Sequence, residues 1–191
     1  MSDPERSYTT AEEESLARNL LGLSAQIHRG ELRGREASVG LLCEVHRALF
    51  SGVRAHAGQH RQRGFGSEHL SFGPNRSVNR TDVPGELERI FRSVRVSIAS
   101  FDENPNDPDY DESAFRLAVW AHAEIVRVHP FADGNGRSAR AIMNWILVRL
   151  GLRPVAIEVP KNEYHSCLNH YYRVREIQPL VDLALSLYPV D

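Results

Sequence analysis

The sequence predicts a mostly α-helical domain carrying one small β-hairpin. Three observations lead there. Apolar residues recur at three- and four-residue steps over seven stretches, strand-helix alternation is absent, and one stretch of about thirty residues breaks the helical period. At 191 residues, 41% apolar and 25% charged, the chain is long enough to bury one sizeable core.

Residues 1–11 are polar and acidic and read as a flexible lead-in, with residues 12–191 as a single domain. Over residues 12–28, Leu16, Leu20, Leu21, Leu23 and Ile27 share one face, and the Gly30 segment breaks that helix. Residues 38–49 repeat the pattern through Leu41, Leu42, Val45 and Leu49, and Ser51-Gly52 stops it. The next thirty residues are rich in Gly, Arg, Asn and Ser. A featureless loop of that length is unusual in a compact domain, so the expectation is a hairpin within residues 67–79, with Gly73-Pro74-Asn75 at its tip.

Pro84 opens a third helix with Leu87, Ile90, Phe91, Val94 and Ile98 on one face. The acidic, proline-rich run that follows lacks the glycine and terminal glutamate of a calcium loop and reads as a solvated connection. A fourth helix is expected over residues 112–128. The fifth, over residues 135–150, is apolar on nearly every side and is therefore expected to be central and buried. Two more, over residues 162–176 and 179–188, complete the chain.

A formal net charge of −2 argues against a nucleic-acid coat, which needs a basic face. Cys43 and Cys167 lie far apart without paired spacing and read as buried thiols. The acidic N-terminus is no signal peptide, and the most apolar helix is too short and too interrupted to span a bilayer. These points lead to a cytoplasmic protein, with no membrane and no nucleic-acid partner; secretion as an effector through a specialised machine stays open.

Chemistry concentrates in "HPFADGNGRSAR", residues 129–140. Asp133-Gly134-Asn135-Gly136 is a turn that begins a helix, and a helix beginning there aims unpaired N–H groups and the positive dipole end at the turn. Arg137, Arg140 and Asn144 fall on one stripe of that helix, so two guanidiniums can face one anion, and the combination suits a polyphosphate. Asp133 offers a hard oxygen to magnesium, which is held through one carboxylate plus substrate phosphates. His129 can accept a proton from an attacking hydroxyl. A metal hydrolase built on His122 and His129 is disfavoured, because no third nitrogen or sulfur ligand is near in the sequence.

The stretch resembles, at every defining position, the signature of the Fic family, His-x-Phe-x-Asp/Glu-Gly-Asn-Gly-Arg-x-x-Arg. Seven fixed identities would coincide at roughly one start position in a billion if amino acids were equally frequent, so the motif is specific. "VHRALFSGVRAHAGQHR", "FGPNRSVNRTDVPGELERIF" and "EYHSCLNHYY" are similar to the family's upstream helix, its flap and its nucleotide-side helix. The resemblance implies a Fic-type helical bundle that acts as a protein adenylyltransferase. Such an enzyme transfers AMP from ATP to a Tyr, Ser or Thr hydroxyl of a target protein and releases pyrophosphate.

By that resemblance His129 is the base, Asp133 holds Mg2+, Gly134, Asn135 and Gly136 cradle the phosphates, Arg137 and Arg140 bind the β and γ groups, and Tyr164 lies near the adenine. The asparagine that some members carry about two turns later is replaced by Tyr171 or Tyr172. Glycine at 136, where the Doc branch carries lysine, favours AMP transfer over phosphoryl transfer. The flap, with Leu70, Ser71 and Phe72, is implied to hold the target as an added strand.

Many members are restrained by a helix bearing Ser/Thr-x-x-x-Glu-Gly/Asn, whose glutamate pairs with the second motif arginine. Ser24 and His28 align with a degenerate form of that inhibitory motif, in which an imidazole cannot make the carboxylate fork. Thr9-x-x-x-Glu13 and Thr10-x-x-x-Glu14 are further partial matches without the following Gly or Asn. An inhibitory partner protein and homodimerisation are left open by the resemblance. Another nucleotide-dependent phosphate transfer at the same site, or a nucleotide-binding regulatory or toxin-antitoxin module, is the alternative.

Overall fold

The computed structural model describes residues 8–62 and 65–188. Its described helices are α1 (Thr10–His28), α2 (Val39–Phe50), α3 (Val83–Glu103), α4 (Tyr110–Val128), α5 (Asn135–Arg149), α6 (Lys161–Val174) and α7 (Gln178–Ser186). One antiparallel hairpin, β1 (Ser71–Phe72) and β2 (Asn75–Arg76), pairs Ser71 with Arg76 and Phe72 with Asn75, and Gly73-Pro74 forms its tip. The expected class therefore holds, and the boundaries move by one or two residues.

The N-terminus departs from expectation. Residues 1–7 lie outside the described residues, but helix α1 starts inside the segment read as flexible. The side chain of Thr9 accepts from the Glu12 N–H and the Glu12 carboxylate accepts from the Thr9 N–H, a reciprocal capping box. Tyr8, just before it, is half-buried against the core.

Helix α5 is the axis of the bundle. Ile142, Met143, Ile146 and Leu147 are fully buried, and α5 packs against α4, α2 and α1. Helix α4 fills the other side with Ala118, Val119, Ala121 and Ile125, and in turn meets α3, α6 and α7. Helix α5 thus reads as apolar on nearly every side because neighbours cover most of its faces. The six-residue link between α3 and α4 is a set of turns, as its acidic composition suggests, and Asp102 in the last turn of α3 pairs with Arg149 at 2.6 Å. Cys43 and Cys167 are free and only half-buried, correcting the expectation of buried thiols. Among the described residues no helix is long and apolar enough to cross a membrane.

Segment 51–82 is not a featureless loop. Turns, an isolated bridge between Gln62 and Phe65, and the hairpin are stitched around the fully buried side chain of Arg61. This arrangement lays the hairpin over the loop joining α4 to α5.

Candidate active site

The site is built on that α4–α5 loop. Helix α4 ends at His129, which adopts a left-handed backbone with φ 53°, unusual for a residue with a side chain. Its ring Nδ1 lies 3.2 Å from the Val126 carbonyl. A carbonyl can only accept, so Nδ1 carries the proton and Nε2 keeps its lone pair. Burial pushes the imidazole down to about 4, against the raising effect of the Val126 hydrogen bond, so His129 is neutral at pH 7. Phe72 of the hairpin covers it, with ring centroids 4.3 Å apart and planes 7° from parallel.

The turn after His129 is braced from inside. Asn135 is buried, and its amide makes two hydrogen bonds with Phe131, accepting from the N–H at 2.8 Å and donating to the carbonyl at 2.9 Å. The Asn135 side chain therefore belongs to the loop scaffold; only its backbone is left for the cradle role. Phe131 is fully buried, as an anchor would be. Gly134 has φ +76°, and a Cβ there would fall within the ring of Phe50. No side chain among the described residues caps helix α5, so its first N–H groups remain available to an anion.

Asp133 stands at this helix start with its side chain 40% exposed. Arg137 reaches it at 3.4 Å and Arg54 at 3.5 Å. Arg140 makes no ion pair among the described residues, and its guanidinium carbon lies 6.0 Å from the centre of the Tyr164 ring. Asp133, Arg137 and Arg140 are thus brought together at the end of α5. Asn144, on the same sequence stripe, is not: it clamps Val155 through its amide at 2.9 and 3.0 Å.

Tyr164 is buried, with its hydroxyl 2.7 Å from His122 Nε2 and its ring centre 6.0 Å from the Arg140 guanidinium carbon. His122 is itself buried and pushed down to about 3, chiefly by desolvation and then by Arg140. Tyr171 donates to Glu124 at 2.9 Å, while Tyr172 meets Phe72 edge-on at 5.9 Å. The wall beyond His129 is therefore aromatic.

Ser24 and His28 lie in the last part of α1. His28 donates from Nδ1 to the Ser24 carbonyl of its own helix at 3.1 Å, in an exposed position. The turn that follows sits at the far end of α5, where Arg33 donates to the Val148 carbonyl at 2.9 Å. Arg140 is eight residues back along that helix, about 12 Å at its ordinary rise. Helix α1 instead presents its N-terminal end to the motif: Arg137 donates to the Tyr8 hydroxyl at 2.7 Å, and that hydroxyl donates to Asp133.

Sequence reasoning missed Tyr8, His46, Arg54 and Arg61. His46 stacks between Phe50 and Phe131 at 4.6 and 3.8 Å, accepts from the Gly58 N–H at 2.8 Å and donates to the Asp133 carbonyl at 3.1 Å. Desolvation holds it down at about 4. Its single position within an amphipathic helix gave no signal of this support role.

The Fic/DOC family model matches residues 36–147. Protein adenylyltransferase fic-1 of Caenorhabditis elegans is 35% identical over 117 residues, covering 51% of this chain and 22% of that protein. Protein adenylyltransferase Fic of Nematostella vectensis is 32% identical over 133 residues, covering 67% of this chain and 27% of that protein. The chain thus spans about a quarter of these relatives. Among solved structures, the BepC effector protein of Bartonella tribocorum with bound AMPPNP superposes with a TM-score of 0.68 at 16% identity, covering 95% of this chain and 88% of that one. The N-terminal FIC domain of Bep8 from Bartonella sp. 1-1C gives 0.71 at 12% identity, covering 99% and 90%. Those two likenesses bear on the fold.

Proposed function

Since this chain belongs to the Fic/DOC family, we propose that it transfers AMP from ATP to a hydroxyl side chain of a target protein. The observation that carries this reading is the pairing of a neutral His129, Nε2 unprotonated, with an uncapped helix start bearing Asp133, Arg137 and Arg140. The acceptor oxygen attacks the α-phosphorus, its proton passes to His129 Nε2, and the bond to the β-phosphate oxygen breaks to release pyrophosphate. Arg137, Arg140 and the first N–H groups of α5 hold the leaving phosphates.

The residues fit magnesium. Asp133 offers a partly exposed carboxylate at the phosphate cradle, and no group of three metal-ligating side chains stands among the described residues, as suits an ion shared between one carboxylate and the substrate. Mg2+ held there would neutralise phosphate charge. Glycine at 136, where the Doc branch carries lysine, supports AMP transfer over phosphoryl transfer; the Arg140 guanidinium lies 3.4 Å from where a Cβ would stand there. The reading takes ATP, Mg2+ and a cytosolic target protein as partners, with β1 and β2 as the edge along which the target adds.

The test incubates the protein with magnesium, a cell lysate and ATP labelled at the α- or the γ-phosphate, beside His129→Ala. α-Label retained on a protein band that disappears in the variant is the expected result. Retention of γ-label would instead mean phosphoryl transfer, and label released without retention would mean hydrolysis.

A further inference from the structure

The most unusual charge in the fold is Arg61, whose side chain is 0% exposed. Its partners are carbonyls and one hydroxyl. Nε donates to the His129 carbonyl at 3.0 Å, Nη1 to the carbonyls of Ser67 and Glu68 at 3.0 and 3.1 Å, and Nη2 to Ser77 Oγ at 3.1 Å and the carbonyls of Val78 and Val128 at 3.2 and 3.3 Å. The Arg61 N–H donates to the Pro130 carbonyl at 2.7 Å. Gly66 closes over its stem so tightly that a Cβ would meet Arg61 Cγ at 2.9 Å.

A buried guanidinium facing carbonyls and a hydroxyl is an expensive way to fill a core. Its fork joins two bodies that the sequence separates by about fifty residues. One is the base of the hairpin on both arms; the other is the end of α4, including the strained backbone of His129. Ser77 extends the junction, since its hydroxyl oxygen also accepts from the Leu70 N–H at 2.8 Å.

We infer that Arg61 is a positioning residue for group transfer, fixing the edge of the flap at a set height above His129 so that one guanidinium registers the acceptor segment against the base. The chemistry rests on the proposed function; the mechanical coupling does not. Arg61→Lys keeps the charge but loses the fork, and Ser77→Ala removes one contact from the flap side, giving a second readable variant should Arg61→Lys fold poorly.

Amide exchange is measured over residues 67–79 and 128–131, together with calorimetric affinity for MgATP and kcat/KM for the labelled acceptor protein. Arg61→Lys is expected to raise exchange in both segments together, leave MgATP affinity unchanged and lower kcat/KM at least about tenfold. Ser77→Ala should do the same more weakly. Exchange that rises in one segment only, or transfer at the wild-type rate despite a loosened flap, would overturn the inference. A wild-type chain that transfers no AMP would defeat the functional reading, and joint exchange would still decide the coupling.

A separate observation carries a second inference. The Tyr8 hydroxyl gives its proton to Asp133 and takes one from Arg137 at 2.7 Å, while the Arg54 guanidinium lies 4.1 Å over its ring. The phenol thus meets the carboxylate as a cation would and the guanidinium as a phosphate oxygen would. The geometry points to Tyr8 as a displaceable plug, holding the groups that the proposed function assigns to MgATP.

Calorimetry with MgATP on Tyr8→Phe and Tyr8→Ala is expected to show affinity raised several-fold in both. Unchanged or weaker affinity in both would overturn the plug. Absence of MgATP binding in every variant would overturn the functional reading, and the plug with it.

Discussion

Phe72 lies flat on the imidazole of His129, its ring 4.3 Å away, so the hairpin sets the solvation of the proposed base. Burial is the leading reason that His129 sits at about 4. Phe72→Ala should let water reach the ring and raise that value toward the ordinary 6.5, read as the His129 resonance in an NMR titration. In the intact protein the acid limb of kcat/KM is expected well below pH 6; in the variant it should move up with the NMR value.

Gly134→Ala should remove the site by deforming its turn. The position combines φ +76° with a Phe50 ring where the Cβ would go. Strain and overlap together are expected to destabilise by about 2–4 kcal/mol, measured by denaturant unfolding.

Asn135→Ala leaves the buried N–H and carbonyl of Phe131 without their partners. A loss of about 2–6 kcal/mol is expected in the same measurement, because each of the two orphaned buried groups costs about 1–3 kcal/mol. Nucleotide affinity should fall with it, since the cradle backbone depends on that brace.

Buried neutral histidines make the fold acid-sensitive. His46 and His122 are held down at about 4 and about 3, mainly by desolvation. Between those values and 6.5 the unfolded chain binds the extra protons, so stability is full above about pH 6.5 and declines as pH falls toward 4. Each histidine contributes up to about 1.4 kcal/mol per pH unit in that window. Denaturant midpoints at pH 7 and pH 5 test this; equal midpoints would contradict it.

His28→Glu should change neither MgATP affinity nor transfer. The residue bonds to its own helix at the end remote from Arg140. A sharp loss of activity would restore the inhibitory alignment.

Much of this architecture was legible in the chain. Apolar spacing marked every helix to within a few residues, because tertiary packing reinforces the same faces that periodicity shows. The turn at residues 133–136 was legible from glycine chemistry, and the placing of Arg137 and Arg140 on the first turns of α5 from the helix that follows. What stayed hidden depended on contacts distant in sequence. Tyr8 and Asp133 are 125 residues apart, Arg61 and His129 68 apart, and neither pair leaves a local pattern. The bond between Tyr164 and His122 spans 42 residues and likewise leaves no local pattern. For Ser24 and His28, spacing gives the motif's form but not which end of α1 meets the start of α5.

The most direct measurement is a crystal structure with magnesium and a non-hydrolysable ATP analogue. The β- and γ-phosphates are expected on Arg137, Arg140 and the first N–H groups of α5, the cation on Asp133, the α-phosphorus facing His129 Nε2, and Tyr8 displaced. A nucleotide bound elsewhere, or one whose γ-phosphorus faces His129, would contradict the proposed transfer.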